Sequence, residues 1–525
     1  MSPHPNLLPQ VVREKGPRAA FAAAAVAVLA YLPTLTNGFV WDDLLHIAGN
    51  PRIESFRHAA VYLQRLEGVY YRPAVFFSYA LDYALWGRAP AGFHLTNLLL
   101  HGLNAVLLVL VTTRMGLRPR FAFLAGAIFA LHPVQADAVA YISGRTDLLM
   151  TAGALLAWRL LLGGGSAVGH GVLTALAGGG AVLSKESGYA LGAFVPWFTW
   201  RRTRNWKERA ALATPTVVIL VILLLLRPGA FPSPVGALAG VSLTGAGRTL
   251  AEYLLLLLWP ATLRIDRLTP VATSTIENAL AMVLVFAALA AGAWGLTRRG
   301  PVADWTAWTV AFYLPVANLM PLYPAIAGQA LFTPEHNLYA PMAGVGALIA
   351  LAATRLQARV STRQQQLLAV VVLAVMAVWG VRTAVRVRDW HDEERLYRSA
   401  VAAGATSPRV WYNLGNVLLQ RRASTEAAAA FRQALQQAPH DAEVWMNLGV
   451  ALQSQGLLDG ALAAYQQAQA LGPPSGLLLE NLGTLHLARR DLLAARQVFE
   501  QALALDPGLA KSRAALEAIE RLQSE

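Results

Sequence analysis

The sequence predicts an all-α protein in two parts: a polytopic membrane bundle of about eleven helices, followed by an α-solenoid of short repeats. Three observations lead there. Of 525 residues, 56% are hydrophobic and 14% charged, whereas an ordinary soluble domain carries roughly a quarter charged residues; mean hydropathy is +0.43. Long apolar runs alternate with short arginine clusters. The last part of the chain turns polar and Ala/Gln-rich and repeats with a fixed period.

Apolar runs long enough, or nearly so, to cross the bilayer occupy 18–36, 93–113, 121–136, 147–163, 168–184, 187–200, 210–227, 277–297, 303–319, 338–354 and 366–382. The short run Leu254–Leu258, ending in Trp259-Pro260, reads as an interfacial helix. Basic residues precede the first run, as in a signal peptide, but no small-x-small cleavage site follows it, so it reads as a retained signal anchor.

A pI near 10.2 invites a nucleic-acid reading. The basic residues form no single stripe, however, and nucleic acid is not an expected partner. They cluster between apolar runs: Arg13, Lys15 and Arg18; Arg114, Arg118 and Arg120; Arg201, Arg202, Arg204, Lys207 and Arg209; Arg298 and Arg299; Arg355, Arg359 and Arg363. All five clusters can lie on one membrane face, the positive-inside pattern. An odd number of crossings from a cytoplasmic N-terminus then places the tail outside. Only four of the 43 basic residues are Lys, a bias of GC-rich bacteria, so a bacterial inner membrane is the expected location. Absence of cysteine removes thiol nucleophiles, disulfides and Cys-ligated metals.

Two domains are expected, 1–390 and 391–525. In the second, Trp411, Trp445 and Leu479 occupy equivalent positions, as do Leu414, Leu448 and Leu482; Gly415, Gly449 and Gly483; Ala427, Ala461 and Ala495; Phe431, Tyr465 and Phe499; and Pro439, Pro473 and Pro507. This is the tetratricopeptide pattern. Repeats are expected at 408–441, 442–475 and 476–509, with a polar capping helix at 510–525. Such arrays commonly bind polypeptide segments; a spacer or self-association module is the alternative.

Ionisable groups beside membrane segments are costly and tend to be functional. Five clusters stand out: Asp42-Asp43 with His46; His132-Pro133 with Asp137; Gly144-Arg145-Thr146-Asp147; Ser184-Lys185-Glu186-Ser187; and Pro334-Glu335-His336. The topology above puts all five at the outer face. Adjacent carboxylates can hold a divalent cation such as Mg or Mn, or act as a general base; alternatively Asp43 caps a short helix and Asp42 is solvated. His132 is a metal ligand, a phosphate donor or simply the end of a helix. Arg145 and Lys185 suit an anionic phosphate; alternatively, either snorkels or pairs with Asp147 or Glu186. Glu335 and His336 can pair with each other. Gly163-Gly164-Gly165-Ser166 lacks the Gly-Lys-Ser/Thr ending of a phosphate loop and reads as a flexible inner turn. Trp197, Trp200 and Trp206 read as an interfacial belt.

The stretches Asn37-Gly38-Phe39-Val40-Trp41-Asp42-Asp43, Tyr71-Arg72-Pro73, His132-Pro133 with Ala138-Val139-Ala140, Gly144 to Leu149, and Leu183-Ser184-Lys185-Glu186 together resemble the transmembrane and tetratricopeptide-repeat-containing O-mannosyltransferases and their bacterial relatives. The resemblance covers nearly the full chain. It implies a GT-C fold and a glycosyltransferase that takes mannose or another hexose from a polyprenyl-phosphate carrier. It also implies that the catalytic aspartate motif maps to Asp42 and Asp43. The chain departs from the family at Gln135 and Asp137, where His and Glu are common, and at Glu335-His336-Asn337, where a Glu-Arg pair is typical.

In the implied reaction Asp42 or Asp43 accepts the proton of an attacking hydroxyl of protein Ser or Thr. Arg72, His132, Arg145 and Lys185, with Glu186, Glu335 and His336, surround the donor phosphate or sugar, and the repeats capture the polypeptide acceptor. Two alternatives remain. A non-enzymatic membrane scaffold would use its repeats alone. A lipid-linked glycan ligase or polymerase would hold key Arg and His residues in a large late outer loop, but residues 318–337 contain no Arg.

Overall fold

The computed structural model describes residues 10–63, 71–226, 242–270, 274–319, 330–473 and 475–524. Residues 320–329, half of the expected late outer loop, fall outside them. The chain divides into two compact units, Met1–Leu263 with Arg267–Asp392, and Arg264–Asp266 with Glu393–Glu525.

The first unit is built from α1 (Gln10–Tyr31), α2 (Pro73–Trp86), α3 (Pro90–Arg114), α4 (Pro119–Leu131), the short α5 (Ala136–Ala140), α6 (Arg145–Leu161), α7 (Ala167–Val182), α8 (Leu191–Arg202), α9 (Trp206–Leu226), α10 (Leu243–Leu258), α11 (Thr275–Thr297), α12 (Pro301–Tyr313), α13 (Tyr339–Gln357) and α14 (Thr362–Asp389). Pro stands in the first turn of α2, α3, α4 and α12, where its missing N–H costs nothing. Among the described residues, six helices are long and apolar enough to cross a membrane, or seven when the bent pair Pro119–Leu131 and Pro133–Ala140 counts as one span. The expected runs are all largely helical, yet α6, α7, α8 and α12 have only 17, 16, 12 and 13 residues. At 1.5 Å per residue these reach roughly 18–26 Å, less than a 30 Å hydrocarbon core. The run expected as a short interfacial segment is part of α10, 16 residues long and started by the Ser242 hydroxyl, which accepts from the Gly245 N–H.

A two-stranded antiparallel ribbon pairs β1 (Leu268–Pro270) with β2 (Ala330–Phe332), Leu268 opposite Phe332. It ties the connection after α10 to the segment before α13.

The second unit contains α15 (Glu393–Ala402), α16 (Pro408–Gln420), α17 (Ser424–Gln437), α18 (Ala442–Ser454), α19 (Leu458–Leu471), α20 (Gly476–Ala488), α21 (Leu492–Leu505) and α22 (Ala510–Ser524). The period has a direct packing cause. A Cβ on Gly415 would collide with the ring of Phe431, and Gly449 and Gly483 stand in the same relation to Tyr465 and Phe499. The glycines let each antiparallel pair close. On α22, Ile519 packs on Ala495 and Phe499, and buried Glu480 accepts from the backbone and hydroxyl of Ser512.

Candidate active site

The polar groups of the first unit collect at one set of helix ends: the C-terminal ends of α1, α4, α7 and α14 and the N-terminal ends of α2, α6 and α13. The arginine clusters occupy other ends, where Arg120 donates to Gln357 at 2.5 Å and Arg201 donates to the Arg298 carbonyl at 2.9 Å.

Asp42 and Asp43 follow Trp41, whose backbone is left-handed at φ 55°, a conformation unusual for a bulky residue. The turn exposes Asp42 and buries Asp43 completely. Asp43 Oδ1 accepts from the Ser143 N–H at 2.8 Å and the Ser143 hydroxyl at 2.6 Å, and Oδ2 from the Val40 N–H at 3.4 Å. Burial pushes the Asp43 carboxyl up to about 7, against those hydrogen bonds, and the Asp42 charge adds to the rise. Burial also raises the Tyr141 phenol, and Asp42 and Asp43 raise it further. Half-buried His46 stands edge-on to Phe76, with its pKa lowered by burial, raised by Asp42 and lowered by Arg72.

Of the expected pairs, Lys185–Asp147 forms, whereas Arg145 and Glu186, and Glu335 and His336, each turn to other partners. Arg145 pairs with Asp82 at 2.6 Å rather than with Asp147, and Lys185 pairs with Asp147 at 2.7 Å rather than with Glu186. Glu186 pairs with Arg72 at 2.8 Å; Glu335 with Arg267 at 3.1 Å; His336 with Asp137 at 2.8 Å. Adjacent residues on helical backbone point in different directions, so each charge finds its partner on another segment.

These pairings revise several expectations. Arg145 is fully enclosed: its guanidinium also donates to Asn97 at 2.8 Å and the Phe93 carbonyl at 2.8 Å, and lies over the Tyr79 ring. It braces α2 and α3 and leaves no face for a phosphate. Gly144 before it is required, because a Cβ there would strike the Ala138 carbonyl. The Lys185 ammonium is spent on both Asp147 oxygens. His132 is buried; its Nδ1 accepts from the Val134 N–H, so Nε2 carries the proton and donates to the Leu257 carbonyl at 3.1 Å. It ends α4 and supports α10. Glu335 is buried against Arg267. The more accessible groups are Asp42, His46, His336 and the Arg72–Glu186 pair, whose side chains are 20% and 26% exposed.

Asp42 and Asp43 fit a cation poorly, one carboxylate being exposed and the other spent on Ser143. Among the described residues no group of three or more His, Asp or Glu is placed to hold a metal.

Sequence reasoning missed Ser143, Asp82, Asn97, Arg267 and Arg386. Ser143 directly precedes the Gly144-Arg145 motif, and Asp82 and Asn97 are polar residues inside apolar helices, so a signal existed for these three. Arg267 and Arg386 carry none.

The tetratricopeptide repeat family model matches residues 381–442, 424–476 and 446–510. The chain is 28% identical to the protein O-mannosyl-transferase Tmtc1 of Drosophila melanogaster, over 79% of this chain and 61% of that one. It is 23% identical to the protein O-mannosyl-transferase F38B6.6 of Caenorhabditis elegans, over 81% and 64%. This chain is homologous to the transmembrane and tetratricopeptide-repeat O-mannosyl-transferases. It spans less than two thirds of the length of those relatives. Among solved structures it is similar to ArnT from Cupriavidus metallidurans bound to undecaprenyl phosphate, with a TM-score of 0.41, 16% identity, and coverage of 86% of this chain and 81% of that one.

Proposed function

We propose that this chain is a GT-C-type membrane glycosyltransferase, acting at the extracytoplasmic face of a bacterial inner membrane. It moves a hexose, mannose by the name of its homologues, from a polyprenyl-phosphate carrier to a Ser or Thr hydroxyl of a polypeptide. One observation carries it: charged groups from segments far apart in sequence converge around one accessible carboxylate, Asp42, and one accessible ion pair, Arg72–Glu186. A scaffold has no use for this costly assembly.

In the reaction, the acceptor oxygen attacks the anomeric carbon while Asp42 takes its proton. The bond from that carbon to the phosphate oxygen breaks, the electron pair leaves with the phosphate, and the configuration inverts. Arg72 offsets the charge that builds there. Asp43 holds the turn that presents Asp42, through Ser143 and Val40. General-base assistance of this kind is worth about 10²–10⁴ in rate. The carrier lipid stays in the bilayer, so no nucleotide-binding fold is needed. The arginine-rich helix ends fit a cytoplasmic N-terminus by the positive-inside rule, and the solenoid, outside, captures the acceptor and raises its local concentration.

Mass spectrometry of envelope proteins from cells with the gene, without it, and with Asp42→Asn tests this directly. A hexose on Ser or Thr present only in the first strain is expected. Identical glycosylation in all three overturns the proposal.

A further inference from the structure

The reaction above provides a base and a cation but no proton for the departing phosphate. The turn before α13 offers one. It is clamped from several directions. The Pro334 carbonyl accepts from the Tyr253 hydroxyl at 3.3 Å, and Asn337 Nδ2 donates to that same hydroxyl at 3.2 Å. Glu335 Oε1 accepts from Arg267 Nη2 at 3.1 Å. The His336 backbone N–H donates to Asp137 Oδ2 at 2.9 Å, and His336 Nδ1 lies 2.8 Å from the same oxygen.

A carboxylate accepts only, so Nδ1 carries a proton and the ring is fixed in orientation. Nε2 has no partner among the described residues, and the side chain is 25% exposed. Asp137, by contrast, is buried. An imidazole oriented by a buried carboxylate, with its far nitrogen presented outward, is the arrangement used to deliver protons near neutral pH. Asp137 on α5 faces it directly; Arg386 at the end of α14 acts electrostatically on Asp137, and the preceding residue, Glu335, belongs to a Glu252–Arg267–Glu335 chain.

We propose that His336 is a catalytic residue of this chain, donating its Nε2 proton to the phosphate oxygen as it leaves, and that Asp137 is its positioning residue. The inference rests on the transferase activity proposed above. The step balances. The acceptor gives its proton to Asp42 and forms the new bond to the anomeric carbon, whose bond to phosphate breaks. The phosphate oxygen takes the electron pair and the His336 proton and departs as the hydrogen-phosphate monoester. His336 is left neutral, and solvent returns the proton from Asp42 to the imidazole.

The test uses the full chain in detergent with a polyprenyl-phosphate hexose and a Ser/Thr-containing peptide, following kcat across pH, together with binding of polyprenyl monophosphate and thermal unfolding. His336→Gln is expected to lower kcat about 10²-fold, to abolish the limb on which activity falls as pH rises, and to keep the unfolding temperature, because the backbone N–H to Asp137 remains. Asp137→Asn removes the acceptor that orients the ring and is expected to lower kcat by less than His336→Gln does, with the limb retained. If His336→Gln keeps the limb, or keeps kcat within twofold, the assignment is wrong. If its activity falls only together with its unfolding temperature and the limb persists, the role is structural and the assignment is again wrong. If the wild-type chain binds polyprenyl monophosphate but transfers no hexose from any such donor, the underlying transferase proposal fails instead.

Discussion

The two units bury their side chains by opposite rules. In the solenoid each contact repeats with the period: a glycine on the first helix of a repeat faces an aromatic ring on the second, as Gly415 faces Phe431, Gly449 faces Tyr465 and Gly483 faces Phe499. In the helical bundle the decisive contacts are single, charged and distant in sequence, as in Arg145–Asp82, Lys185–Asp147 and Glu186–Arg72. Periodic packing can be read from a sequence because position alone fixes the partner. Ion pairing cannot, because many charges compete for each partner and only the tertiary path selects one.

The sharpest way to break this contrast is to remove one charge from each kind of place. Asp42→Asn is expected to reduce transfer by about 10²–10⁴, measured as initial rates, with little change in unfolding temperature because the side chain is exposed. Arg145→Met strands Asp82 as a buried charge and is expected to cost about 3–5 kcal/mol, while the double variant with Asp82→Leu recovers most of that, since a buried ion pair replaced by apolar residues is often neutral. Denaturation in detergent checks both. In the solenoid, Gly449→Val forces a side chain into the Tyr465 ring and is expected to cost about 1–3 kcal/mol. Gly164→Ala, where a Cβ meets nothing within 4 Å, is expected to change stability by less than about 0.5 kcal/mol.

Asp43 gives a pH test of the same distinction. Its folded value of about 7 lies above the ordinary carboxyl value of about 3.9, so the folded state holds this proton more tightly than the unfolded one. Its contribution to stability is therefore greatest at low pH, falls as pH rises between about 4 and 7, and is level above that. Unfolding measured across this window should show that slope in the wild type and lose it in Asp43→Asn.

Sidedness is open to a simple check because the native chain has no cysteine. A cysteine replacing exposed Leu45, beside the carboxylates, is expected to react with a membrane-impermeant maleimide in cells whose inner membrane is intact and accessible. One replacing exposed Arg204 is expected to react only after lysis.

Much of this was legible in the sequence. The apolar runs became helices, and the repeating glycine and aromatic positions mark contacts that are local. The clusters around Asp42, Asp137, Asp147, Lys185 and His336 were also visible, because charge beside apolar runs is conspicuous. Their partners were not. Neighbouring charges such as Lys185 and Glu186 look like a pair in one dimension, but each turns to a different segment. Arg267 sits in a polar connection where nothing distinguishes it until Glu335 is brought against it. The length of α10 was missed because Arg248 and Glu252 interrupt its apolar pattern before the run Leu254–Leu258.

The most direct measurement is transfer of a labelled hexose from its polyprenyl phosphate to a Ser/Thr peptide by the purified chain, comparing wild type with Asp42→Asn. Turnover by the wild type and a rate at least about 100-fold lower in the variant are expected. Equal rates in the two proteins, or no transfer by either, would contradict a glycosyl transfer driven from that exposed carboxylate.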